Sequence, residues 1–255
     1  MDKKIKYLST VVAFVGAISI ANANEGNHNT KHWGYLGDSS PAHWGEIDSK
    51  FKMCGEGKQQ SPIDIVSAKD ANLTPLKLDY KVGSKSIINN GHSIQVNIKD
   101  GNSLTLDGKV YKLKQFHFHV PSENNIHGDK FPLEAHFVHV SDDGKIAVIG
   151  VMFEEGKENP ILKRICNHLS HLDKGTKERC GLSAEDIKSI MPKDGDNYYR
   201  FKGSLTTPPC SEGVDWIVYK KPLNVSKEQV NAFFNTFSFP NNRPVQPANG
   251  RAIEE

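Results

Sequence analysis

The sequence lacks an excess of charge of either sign. Its 32 Lys and Arg stand against 30 Asp and Glu. No block of like charge occurs along the chain, which excludes the basic footprint of a nucleic-acid binder or a membrane-surface patch. Internal repeats and low-complexity stretches are absent as well, so neither a solenoid nor a disordered tail is expected. Beyond one segment near the start there is no long apolar run, so the body of the chain holds no candidate membrane span. Cysteine is scarce: Cys54, Cys166, Cys180 and Cys210 are the full set. None belongs to a C-x-x-C pair, which argues against a thiolate zinc site and against a thioredoxin-like role. What is there is an ordinary globular balance, 37% hydrophobic and 24% charged. At 255 residues the chain suits one domain with a sizeable core.

The first 23 residues read as an address. Lys3, Lys4 and Lys6 form a positive start, Tyr7 to Ile20 is nearly continuously apolar but short for a span, and Ala21-Asn22-Ala23 offers small residues where a signal peptidase cuts. We therefore expect a cleavable secretory signal over 1–23, a flexible mature terminus over 24–31 and one domain over 32–255. No Cys follows the cleavage point, so neither a lipid anchor nor stable membrane insertion is expected afterwards. Export to the periplasm, with secretion as the alternative, places the cysteines in an oxidising compartment. Four cysteines permit three connectivities, and spacing alone does not choose among them.

Short strands dominate the pattern. Ser93 to Ile98, Ser103 to Leu106 and Val110 to Leu113 alternate polar and apolar residues. Lys114 to Val120, Leu133 to Val140, Ile146 to Phe153 and Val214 to Tyr219 are further strand candidates. Asp100-Gly101-Asn102 and Asp107-Gly108 read as turns. Helical signals are weaker, the best being Pro160 to Leu172 and Ser226 to Phe234. The expected fold class is mainly β, with peripheral helices.

Gln115-Phe116-His117-Phe118-His119 carries the chemistry. Alternation along a strand puts His117, His119 and Gln115 on one face, and Phe116 and Phe118 on the other. In Glu134-Ala135-His136-Phe137-Val138-His139 the same parity groups Glu134, His136 and Val138 and turns His139 away. If the two strands are neighbours, three imidazoles meet and leave one tetrahedral position open, the catalytic rather than the structural zinc arrangement. Gln115 and Glu134 are placed to orient His117 and His136 through their second ring nitrogens. Spacing alone leaves a metal site and a cluster of ordinary polar side chains both open. His28, His32, His43, His127, His168 and His171 have no such context and read as surface or structural residues.

At this point the sequence resembles the alpha-class carbonic anhydrases, in the version found in exported bacterial members. The resemblance runs from His32 to Arg251. Its motifs occur in the family's order: His32-Trp33-Gly34-Tyr35, Gln60-Ser61-Pro62-Ile63-Asp64-Ile65, Asn89-Asn90-Gly91-His92, Gln115 to His119, Ser122-Glu123, Glu134 to His139, Leu205-Thr206-Thr207-Pro208-Pro209-Cys210, Trp216-Ile217-Val218, and Asn242-Arg243-Pro244-Val245-Gln246-Pro247. It implies a single catalytic domain built on a large twisted, mostly antiparallel sheet with short helices around it. It implies a zinc enzyme that interconverts carbon dioxide and bicarbonate.

The resemblance also implies roles. His117, His119 and His136 match the zinc ligands, in agreement with the parity argument. Thr206 and Glu123 match the pair that orients the attacking oxygen, and His92 matches the proton shuttle. Val138, Val148, Leu205 and Trp216 match the apolar wall against which carbon dioxide rests. Tyr35, Asn90 and Thr207 match positions that hold ordered water or substrate. Cys54 and Cys210 match the disulfide of exported members; for Cys166 and Cys180 a second disulfide and two free thiols both remain open. Sulfonamide and anion inhibitors are expected ligands. The oligomeric state stays open, a homodimer included. Val120-Pro121, Asn124, Gln95 and Asn242 depart from commoner family residues without touching a ligand.

Overall fold

The computed structural model describes residues 32–193 and 197–255. The expected signal and mature terminus therefore lie outside the described residues. Fourteen strands occur among those described: β1 (Asp64–Ile65), β2 (Lys77–Asp79), β3 (Ser84–Asn89), β4 (Ile94–Ile98), β5 (Ser103–Leu106), β6 (Lys109–His119), β7 (Asn125–Ile126), β8 (Leu133–Ser141), β9 (Ile146–Glu155), β10 (Lys177–Glu178), β11 (Tyr198–Ser204), β12 (Glu212–Tyr219), β13 (Leu223–Val225) and β14 (Ile253–Glu254). Five helices accompany them: α1 (Trp44–Ile47), α2 (Met53–Glu56), α3 (Pro160–Leu169), α4 (Ala184–Ser189) and α5 (Lys227–Phe237).

Most strands join one sheet in the order β10-β3-β4-β6-β8-β9-β12-β11-β14, with β2, β5 and β13 attached to its flanks. Pairing within this sheet is antiparallel except where β9 meets β12 and β13, and β1 and β7 form a separate parallel pair. The mainly β, mostly antiparallel architecture matches the sequence expectation. No described helix is long and apolar enough to cross a membrane.

Both faces of the central strands are buried, and alternation assigns each side chain to one of them. Phe116, Phe118, Ala135, Phe137, Ile149, Val151 and Ile217 point to a large core that also takes Leu162 and Ile165 of α3, Ile187 of α4 and Phe233 of α5. Val148, Met152, Val214, Trp216 and Val218 point to the opposite face. Helices α3, α4 and α5 thus cover one face, and the other is left for a site.

Local chemistry explains the helix starts. Asn159 accepts from the amides of Ile161 and Leu162 with Pro160 in the first turn, and Ser226 forms a capping box with Gln229. Helix α3 stops at Leu169, short of the expected Leu172. Helix α5 runs on to Phe237 and ends where Ser238 adopts a left-handed φ of 60°. Asp107 and Gly108, at φ 49° and 75°, make the tight turn between β5 and β6. The two strands expected over 110–113 and 114–120 are one, joined through a bulge between Leu113 and Gln115. That extra residue is why the alternation looks broken in the sequence. Strands β1, β2, β3, β7, β10, β11, β13 and β14 and helices α1, α2 and α4 were not foreseen. Helix α4 carries a legible signal, the Ser183–Asp186 capping box.

Candidate active site

The antiparallel register of β6 and β8 sets His117 directly opposite His136 and His119 opposite Glu134. The rings of His117, His119 and His136 lie 4.6–5.4 Å apart between centroids. One ligand atom from each falls within 4.8 Å of the others. The neighbour relation that parity required is therefore present. His139 is on the far face, as expected, where Tyr80 Oη meets its Nε2 at 2.7 Å.

Each imidazole has one nitrogen engaged. Nδ1 of His117 meets Oε1 of Gln115 at 2.8 Å. Nδ1 of His119 donates to the carbonyl of Asn241 at 2.7 Å. Nε2 of His136 stands 2.9 Å from Oε1 of Glu134, in ion-pair contact though off the line of a hydrogen bond. This leaves Nε2 of His117, Nε2 of His119 and Nδ1 of His136 facing one another. Burial, followed by the neighbouring His119 and His136, pushes the His117 ring well below the ordinary histidine range. Burial also lowers His119, against the Asn241 carbonyl and Glu134. Neutral imidazoles are the form that ligates a metal.

Two carboxylates complete the surroundings, and their environments differ. Burial raises Glu134, but His136 and the Asn124 donors outweigh it and hold the group below its ordinary range. Its oxygens accept from the amides of Glu123 and Asn124 and from Nδ2 of Asn124, all at 2.8–2.9 Å. Asn124, a departure from commoner family residues, thus secures the group that faces His136. Glu123 is pushed up to about 7 by burial, against His136, the Arg243 amide and the Thr206 hydroxyl. Its Oε2 lies 3.4 Å from Nε2 of His119 and 3.8 Å from Nδ1 of His136. Oε2 of Glu123 and Nε2 of His119 are buried without a hydrogen-bond partner. Polar atoms so placed are costly unless a further group meets them. Three convergent imidazoles with an unpaired carboxylate oxygen beside them fit a divalent cation.

The apolar wall assembles by register. Val138 pairs with Val148 across β8 and β9, and Val148 with Trp216 across β9 and β12. Leu205 packs into the same cluster. The Trp216 ring meets His136 edge-on at 4.9 Å, so the wall abuts the imidazoles. Thr206 is buried and Thr207 half-buried in the loop after β11, which Cys210 closes. Cys210 is bonded to Cys54, the pairing the resemblance implied. Cys166 and Cys180 are free thiols.

On the other side, Asn90 Oδ1 accepts from the amides of His92 and Ser93. Gln95 stands opposite His117 in the register of β4 and β6. The His92 ring is stacked on Trp33, with centroids 3.7 Å apart and a 12° interplanar angle. Burial there, with His32 and Lys174, lowers it to about 4, away from the near-neutral titration that suits a proton shuttle. His32, exposed as expected, stacks near it at 5.6 Å. Tyr35 is buried with its hydroxyl unpaired.

Three contributors were not singled out in the sequence. The Asn241 carbonyl accepts the hydrogen bond of His119 Nδ1. Arg243 donates its amide to Oε1 of Glu123 at 2.7 Å and its guanidinium to Gln60, Ser61 and Cys54. Trp33 holds His92. Arg243 and Trp33 sit inside quoted motifs and Asn241 adjoins one, so position alone could have flagged them.

Fold and site together define a β-sheet enzyme in which three imidazoles that could hold a metal ion converge beside an apolar wall. The pattern of the eukaryotic-type carbonic anhydrases matches residues 39–255. A carbonic anhydrase of Pectobacterium atrosepticum is 48% identical over 223 residues, 87% of this chain and 90% of the relative. One of Neisseria gonorrhoeae is 43% identical over 248 residues, 96% of each. The alpha-carbonic anhydrase of Thermovibrio ammonificans, solved with the inhibitor sulfanilamide, superposes with a TM-score of 0.82 at 45% identity, covering 88% of this chain and 99% of that one. The chain belongs to the alpha, or eukaryotic-type, carbonic anhydrase family, enzymes of carbon dioxide hydration.

Proposed function

We propose that this chain hydrates carbon dioxide reversibly with one zinc ion held by Nε2 of His117, Nε2 of His119 and Nδ1 of His136. The observation that carries this reading is the engagement of the opposite nitrogen of each ring, which leaves three ring nitrogens aimed at one place. Zinc held there supplies Lewis acidity that makes water nucleophilic near neutral pH, carbonic anhydrases being the standard instance of that effect.

The chain's own residues do the rest. Gln115, Asn241 and Glu134 fix the ring orientations. Val138, Val148, Leu205 and Trp216 offer carbon dioxide an apolar surface without competing hydrogen bonds. Thr206 Oγ1 accepts a hydrogen bond from the attacking oxygen and donates its own hydrogen bond to the Glu123 carboxylate, which aims a lone pair at the substrate carbon. Tyr35, Asn90 and Thr207 order water and product. His92 carries the released proton outward, for which its ring must turn away from Trp33 and regain an ordinary titration. Aryl sulfonamides and small anions compete at the same centre. The reading includes export to the periplasm, where the Cys54–Cys210 disulfide forms.

The test is stopped-flow carbon dioxide hydration on the mature chain, before and after chelation, with metal content measured in parallel. Hydration that disappears with zinc and returns on its addition is the expected result. A protein that binds one zinc without hydrating carbon dioxide overturns the mechanism.

A further inference from the structure

A second group of metal-ligating side chains lies at the end of α3. His168 is in its last turn, His171 follows just beyond it, and Glu178 comes from β10. In the sequence His168 and His171 read as surface or structural residues. The short strand β10, which brings Glu178 to them, has no periodic signal of its own. Glu178 Oε2 lies 2.9 Å from Nδ1 of His168 and 3.4 Å from Nε2 of His171. One ligand atom from each of the three falls within 4.8 Å of the others, the same limit that His117, His119 and His136 satisfy.

The distances are informative. Zinc bonds nitrogen and carboxylate oxygen at about 2.0–2.2 Å, so adjacent ligand atoms at 90–109° are about 2.9–3.4 Å apart. The two contacts around Glu178 Oε2 have those edge lengths. Two imidazoles and one carboxylate are also a known zinc donor set, with water free to complete the shell. The His171 side chain is 56% exposed, which gives it freedom to close on an ion.

We propose that His168, His171 and Glu178 form a second binding site for a first-row divalent cation, zinc in the first place. The site joins α3 to the edge of the main sheet, because Glu178 pairs with Ile87 of β3. The segment between them is docked beside it, with Gly175 donating its amide to the carbonyl of Asn89 at 2.7 Å. An ion at this place clamps helix, connecting segment and sheet edge together. Its role is structural, and it stabilises the folded chain by linkage.

The test titrates Zn2+ into the full mature chain already carrying one equivalent. The expected result is a second equivalent bound in the micromolar range, accompanied by a rise in the unfolding midpoint. His171→Ala removes an exposed ring with little packing. It should abolish the second equivalent and the rise in midpoint, while leaving the first equivalent and carbon dioxide hydration unchanged. Glu178→Gln should weaken the second equivalent at least tenfold. In crystals soaked with Zn2+, an anomalous peak should stand between His168, His171 and Glu178. A wild-type chain that takes up only one equivalent overturns the proposal. So does a His171→Ala chain that still binds two, or a second zinc peak found elsewhere. Hydration is read separately, so failure here leaves the proposed reaction untouched.

Discussion

The main-chain carbonyl of Asn241 accepts the Nδ1 proton of His119 at 2.7 Å, across 122 residues of sequence. The Asn241 side chain places that carbonyl. Its Oδ1 accepts from the Val120 amide at 2.7 Å, and its Nδ2 donates to the carbonyls of Phe118 and His92, both at 2.9 Å. One asparagine thus brackets His119 in the strand and ties it to the turn that carries His92. Asn241→Ala keeps the carbonyl and loses the bracket. Zinc affinity should fall about 10–100-fold, the usual cost of losing support for a ligand, as read by chelator competition. Unchanged affinity would show that the Asn241 amide, bonded to the Val120 carbonyl, suffices to place it.

Thr206 is buried, with its hydroxyl bonded to the Glu123 carboxylate. Thr206→Ala should lower carbon dioxide hydration on the order of 10²-fold, the scale of losing one preorganised hydrogen-bonding group. Bound zinc should stay at one equivalent at the three-histidine centre. Loss of zinc in this variant would reassign Thr206 to a structural role.

His92 is held neutral by its stack on Trp33. In Trp33→Ala the ring gains solvent, and its pKa should rise from about 4 toward the ordinary value of about 6.5. Titration of the ring proton by NMR reads this directly. Hydration in weak buffer at neutral pH should rise with it. A ring that still titrates near 4 would assign the shift to His32 and Lys174 instead.

His92 and His139 are both lowered to about 4, chiefly by burial. A histidine whose folded pKa lies below its unfolded one binds its proton first in the unfolded chain. Their contribution to stability is therefore complete above about pH 6.5. It is lost as the pH falls from there toward 4. Urea midpoints should decline across that window. A flat profile between pH 6.5 and 4 would contradict the neutral burial of His139.

Alkylation under denaturing conditions should trap two thiols, Cys166 and Cys180, before reduction and four after it. Reducing Cys54–Cys210, which closes a separation of 156 residues, should cost about 5 kcal/mol in the chain-entropy picture. Denaturant midpoints with and without reductant measure that loss. Four reactive thiols before reduction would refute the pairing.

Much of the site was legible in the residues because a strand's alternation is local. Parity alone put His117 and His119 on one face, set Val138 with His136 and turned His139 away, and the two-residue spacing made Gln115 and Glu134 neighbours of their ligands. The starts of α3 and α5 were equally local, since a cap needs only the first turn. The bulge at Leu113 shows where this logic breaks: one extra residue shifts the phase, and one long strand reads as two.

The sequence by itself determined which side chains share a face, where turns and helix starts fall and, through the ordered motifs, which family the chain belongs to. Tertiary structure alone decided which faces meet. Strand order and register aligned Val138, Val148 and Trp216 into one row. Loop closure brought Asn241 and Arg243 back to His119 and Glu123, selected Cys54–Cys210 over the other pairings, laid His92 on Trp33 and carried Glu178 to His168 and His171. The longest of those contacts spans 156 residues, and no local periodicity encodes a distance of that kind. They exist because burying both faces of one sheet leaves the chain few ways to close.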